Sequence, residues 1–212
     1  MDNRTAANGT GTFKNVMDYV DQLHEDIGKM ALLLEQLLEE QGFMAVLGSR
    51  GSWGLTNAYN QPARWRLPYL YRLYIPSDVD RTTRSLFYLV QLETDAVFDF
   101  PTIVCGRITH LSLEAGDVRG EIANDLATNA LSLTYDAPQW QRIREENGWT
   151  IAEAPAFDTS IETVQGYILN LFDMTDRRRV IDNISRPLAN PDKNLDEMLT
   201  VGKYAFGGGR EP

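Results

Sequence analysis

The chain has 212 residues, 43% of them hydrophobic and 24% charged, ordinary globular values that exclude a wholly disordered or fibrous protein and allow a sizeable core. Its formal net charge of -10 argues against nucleic acid or an anionic membrane as a general partner, because the long-range field repels phosphate before a local patch can act. Cys105 is the single cysteine, which excludes an intramolecular disulfide and a thiolate metal cluster within one chain. With a polar N-terminus and no apolar stretch approaching roughly 18 residues, the expected location is cytoplasmic, without a membrane segment.

Residues 1–11 are small and polar, with glycines at 9 and 11, and are expected to form a flexible terminus. Thr12 then offers a cap for a long amphipathic helix over 12–41, stopped by Gly42. Phe13, Val16, Val20, Leu23, Ile27, Met30, Leu34 and Leu37 repeat with 3-4 spacing, the heptad pattern of a helix that lies along another helix. The first half sets Asp18, Asp21, Glu25 and Asp26 around a narrow seam, and Phe13 to Ile27 are expected to form an assembly face. In the second half Ala31, Leu32, Leu33 and Leu38 broaden the apolar surface, so that half is expected to dock on its own domain. Gly28 falls near the change and costs about 1 kcal/mol of helix propensity relative to alanine, which makes it the expected site of a bend.

An α+β domain is expected over 42–206. Phe43 to Gly48, Leu67 to Ile75, Arg84 to Thr94 and Thr102 to Leu113 read as strands, and the polar turn segments between them predict an antiparallel meander of about four or five strands. Helices are predicted from Asp117 to Leu131, from the Asp136 cap to Gly148, from Thr159 to Phe172, and in short pieces at about 176–185 and 193–201, packing on one face of the sheet. Residues 207–212 read as a flexible tail.

The stretch from Arg50 to Arg84 holds six arginines against Asp78 and Asp80, a local charge of +4 (six minus two) in an acidic chain. Arg50, Arg64, Arg66 and Arg72, with Trp53 and Trp65 as stacking platforms, suit a phosphorylated or nucleotide-like anion, since guanidinium forks bind oxyanions and aromatic faces stack on bases. The structural alternative is that these arginines pair with the first helix, because residues 1–41 carry eight acids against three bases.

Other motifs read as structural. Gly48, Gly51 and Gly54 lack the Gly-Lys-Ser/Thr ending of a P-loop, and Glu93, Asp95 and Asp99 read as turn carboxylates. Cys105 and His110 stand at odd and even positions of one strand and face opposite ways, so they make no nucleophile-base pair. Two histidines without HExxH spacing argue against zinc, and Arg177, Arg178 and Arg179 spread too widely around a helix to aim at one ligand. No catalytic, metal or cofactor residue is assigned. The resulting expectation is a non-catalytic cytoplasmic interaction protein that forms a homodimer, or joins a partner protein, through its N-terminal helix. The alternative is an enzyme or sensor that takes a small anionic ligand at the arginine and aromatic patch.

Overall fold

The computed structural model describes residues 4–45, 52–53, 69–78, 81–92, 98–114, 141–153 and 161–204, with backbone alone at 4–13, 52–53, 69, 81–82, 111–114 and 141–142. Helix α1 (Arg4–Glu39) is a single run of 36 residues, about 54 Å at the usual rise. It begins at Arg4, ahead of the Thr12 cap expected for it. Two glycines cost helix propensity but do not forbid helix, and a helix once nucleated propagates through them. At the other end Gly42 adopts a φ of 84° and donates its amide to the Glu39 carbonyl at 2.9 Å, closing the helix as its sequence position implies.

Strands β1 (Phe43–Ala45), β2 (Ser52–Trp53), β3 (Tyr69–Pro76), β4 (Arg81–Gln91), β5 (Thr102–Glu114), β6 (Gln141–Glu146), β7 (Trp149–Glu153) and β8 (Ile161–Asn170) build one antiparallel sheet. Its path is β1-β3-β4-β5-β8-β7-β6, and the two-residue β2 also pairs with β3. The path therefore has seven strands, where the sequence suggested four or five. Of the additional strands, β6 and β8 come from segments expected to be helical, and β7 lies between those two segments. Asn147 and Gly148 take φ values of 51° and 78°, the paired positive angles that suit a tight hairpin turn, and join β6 to β7 where a helix ending at Gly148 was anticipated. Residues 161–170, expected as helix behind a Thr159 cap, form β8 between β5 and β7. The helix expected from Asp117 to Leu131 lies outside the described residues, as does the 207–212 tail.

A 3-10 turn (Leu171–Asp173) follows β8. The chain then passes through α2 (Arg177–Val180), a π-helical turn (Ile181–Ser185), α3 (Arg186–Ala189) and α4 (Leu195–Met198). The rear of α1 and these short helices cover one sheet face. Ile27, Leu34 and Leu38 of α1 share a core with Tyr74, Tyr88, Cys105, Tyr167, Val180, Ile184 and Leu195. Residues on the opposite face, including Leu73, Leu89, Val104, Ile108 and Ile168, are also buried. A central strand buried on both faces loses polar alternation, and the run Tyr167, Ile168, Leu169 of β8 shows this loss.

The hairpin tip anchors the end of the described chain. Leu195 donates its amide to the Asn147 carbonyl at 2.8 Å, and Trp149 Nε1 donates to the Lys193 carbonyl at 3.1 Å. Lys203 donates to the Gly148 carbonyl and sits 3.2 Å from Asp196. Tyr204 then bridges antiparallel to Ile168 in β8.

Candidate functional site

The apolar seam of α1 leaves the core gradually. Ile27 is 3% exposed, Leu23 and Val20 are half-buried, and Val16 is 54% exposed; the Phe13 side chain lies outside the described residues. Met17 and Tyr19 beside Val16 are also exposed. Behind Ile27 the same seam is buried through Met30, Leu34 and Leu37, with Ala31 and Leu38 widening the contact, while Leu32 remains solvent-facing at 68%. The helix passes Gly28 without interruption. Among the acids, Glu25 and Asp26 engage Lys29 at 2.9 and 3.4 Å, but Asp18 and Asp21 are exposed and make no ion pair among the described residues.

Of the proposed anion-binding residues, only Arg72 has a described side chain. Arg50, Arg64, Trp65 and Arg66 lie outside the described residues, and Trp53 is described as backbone in β2. Arg72 points from β3 into the helix-covered face, where it is 7% exposed and its guanidinium lies 3.6 Å from the Glu35 carboxylate of α1. The alternative foreseen for the arginines, pairing with the first helix, is therefore present at Arg72. Next to it Tyr74 and Tyr88 stack with ring centroids 6.2 Å apart. Burial pushes the Tyr74 hydroxyl up to about 12 and holds Tyr88 well above the ordinary tyrosine value, so both stay neutral beside the ion pair.

Cys105 and His110 occupy opposite faces of β5. Cys105 is fully buried in the helix-covered core, where desolvation pushes its thiol up and leaves it inert. His110 faces the other way, with Nε2 2.9 Å from Ser85 Oγ on β4. Both members of that pair are 1% exposed, which suits a buried polar contact locking two strands better than a nucleophile awaiting substrate. Asp99 is exposed, while Glu93 and Asp95, like Gly48, Gly51 and Gly54, lie outside the described residues. Among the described residues no group of three or more His, Cys, Asp or Glu side chains is arranged to hold a metal ion.

The second basic cluster acquires a shape that the sequence reading did not foresee. Asp176 caps α2 by accepting from the Arg179 amide at 3.0 Å, a backbone hydrogen bond that holds its carboxyl below the usual range. Arg179 itself turns back toward Asp176 and the Asp173 carbonyl. Arg177 and Arg178 instead join Ile181, Asp182 and Arg186 along one open groove. Asp182, only 8% exposed, receives Arg186 at 2.9 Å and Arg178 at 3.5 Å, whereas Arg177 makes no ion pair among the described residues. The spacing 178-182-186 is a run of i,i+4 neighbours, and it was the available signal for this grouping.

The π turn behind the groove is held from inside. The Asn183 side-chain amide donates to the Arg179 carbonyl at 2.8 Å and to Thr200 Oγ1 at 2.9 Å, and its Oδ1 accepts from the Thr200 amide at 2.7 Å. The Asn183 carbonyl accepts from the Tyr167 hydroxyl at 2.7 Å. The groove is thus an exposed rim on a support that Asn183 ties by hydrogen bonds to Arg179, Thr200 and Tyr167.

No protein-family model, curated protein or solved structure matches this chain. Among the described residues no helix is long and apolar enough to cross a membrane.

Proposed function

We propose that this chain is a non-catalytic, cytoplasmic interaction protein that assembles through the front half of α1. The observation that supports this reading is the change of environment along one seam: Ile27 is 3% exposed and Val16, three turns earlier on the same stripe, is 54% exposed. The helix is about 54 Å long and its stripe becomes exposed towards Val16, and an apolar stripe that continues past the core is suited to covering by another helix or chain. Surface complementarity is the mechanism, with Val16, Val20 and Leu23 as anchors and the flanking acids setting orientation.

The anion-binding enzyme or sensor has less support. Arg72, the one member of that patch with a described side chain, is buried beside Glu35 under the helix, so this alternative rests on Arg50, Arg64, Trp65 and Arg66. The assembly reading is tested by sedimentation velocity on the full-length chain and on Val16→Glu/Val20→Glu. Both changes lie outside the fully buried core, so the variant is expected to keep its fold and to lose association. A monomeric parent chain, or a variant that associates as well as the parent, removes the reading.

A further inference from the structure

We propose that the groove lined by Arg177, Arg178, Ile181, Asp182 and Arg186 is the acceptor, on a second copy of this chain, for the acidic front half of α1. The inference rests on the assembly reading above and names the surface that receives the helix. Its first support is charge. The groove carries three arginines and one aspartate, a local +2, within a chain whose formal net charge is -10. Residues 14–29 of α1 carry four acids (Asp18, Asp21, Glu25, Asp26) against Lys14 and Lys29, a local -2, with Lys29 engaging Glu25 and Asp26.

These opposite fields do not neutralise each other within one chain. No acid of the front half pairs with an arginine of the groove; Asp18, Asp21 and Arg177 make no ion pair among the described residues, and Asp182 alone answers both Arg178 and Arg186. Two complementary surfaces on one polypeptide, each with charge left over at home (Asp18 and Asp21 on the helix, Arg177 in the groove), are an arrangement that a second copy satisfies.

The second support is chemical match beyond charge. Ile181 lies half-buried among the guanidiniums, and arginine stems offer apolar flanks. The facing helix presents Val16, Met17 and Tyr19, exposed between its carboxylates. A mixed apolar and acidic helix face fits such a groove better than a small anion does, because the arginine side chains stand in solvent and Asp182 already occupies the point where two of them converge. Reciprocal exchange closes the assembly: each copy inserts its front helix into the other's groove, giving a two-fold dimer with two equivalent contacts.

The test measures dimer dissociation of the full chain by sedimentation velocity for the parent, for Arg177→Glu/Arg178→Ala, and for Asp18→Arg/Asp21→Arg. All four positions are exposed, and circular dichroism melts verify that the variants keep the parent fold. Each double variant is expected to raise the dissociation constant roughly tenfold or more, and an equimolar mixture of the two is expected to recover the dimer, since each then offers the charge the other needs. If Arg177→Glu/Arg178→Ala associates like the parent while Val16→Glu/Val20→Glu does not, the groove is not the acceptor and only the helix reading stands. If the parent is monomeric at all concentrations, both fall. A monomeric parent stabilised by inorganic phosphate through Arg177 also overturns the proposal and reassigns the groove to small anions.

Discussion

The two halves of α1 share one heptad register and one continuous helix, yet they meet opposite surroundings. Behind Ile27 the seam is broad: Met30, Ala31, Leu34, Leu37 and Leu38 are all buried against the sheet and the C-terminal helices. Ahead of it the seam is a single stripe between exposed acids, and it emerges into solvent within three turns. A repeat of apolar residues therefore marks a face suited to being covered, and the width of that face indicates by what. A broad surface matches a sheet and several helices at once, while a narrow one between charges matches a single long partner.

That contrast is broken most directly by removing the same kind of group from each half. Leu34 is 0% exposed, and Leu34→Ala deletes buried methyl groups and leaves a cavity, so it is expected to cost about 2–5 kcal/mol. Val16→Ala, measured in dilute protein, is expected to change stability by no more than about 0.5 kcal/mol, because the side chain is already half in water. Urea unfolding midpoints decide this. A comparable loss at Val16 would mean that the front half is folded onto its own domain.

A smaller effect probes the polar contact beneath the rear half. Glu35→Ala takes the carboxylate from a guanidinium that is 7% exposed, and the expected loss is about 1.5–3 kcal/mol, the scale of a contact to a charged group. Arg72→Met/Glu35→Leu replaces both partners with apolar groups of similar length and should unfold close to the parent midpoint. The comparison separates a structural ion pair from a binding residue. If Arg72 served a ligand, the double variant would keep its stability and lose a thermal shift that nucleotides give the parent.

How much of this was legible depended on which physical signal each segment carries. Strands β3, β4 and β5 were readable because alternating side chains and polar turns separate them in sequence. Strand β8 was not, since burial on both faces gives it a run of apolar residues that also suits a helix, and Thr159 to Glu162 imitates a capping box. β6 is an edge strand whose Arg144, Glu145 and Glu146 face solvent, so apolar patterning is absent there and the Asn147-Gly148 pair was the remaining clue. The seam of α1 was visible from spacing alone. The arginine groove was hidden, because it needs Arg186, beyond a π turn, to come round to Arg177 and Arg178, and the turn is held by Asn183 contacts distant in sequence.

The gentlest test lies at the junction of the two halves. Glycine weakens a helix, the helix continues through Gly28, and a Cβ placed there meets no heavy atom within 4 Å. Gly28→Ala therefore adds no clash, improves helix propensity and restricts the unfolded chain, so it is expected to stabilise the protein by about 0.5–1 kcal/mol. Its effect on association carries the argument further. If the front half is a rigid continuation of the rear, the orientation it offers a second copy is already set, and the alanine variant should associate with unchanged affinity. If Gly28 acts as a hinge that lets the front half swing to reach its acceptor, stiffening it will raise the dissociation constant while the unfolding midpoint still rises. Stability and association moving in opposite directions at this one residue would show that the two halves are mechanically separate, and moving together or independently would show one rod with two environments.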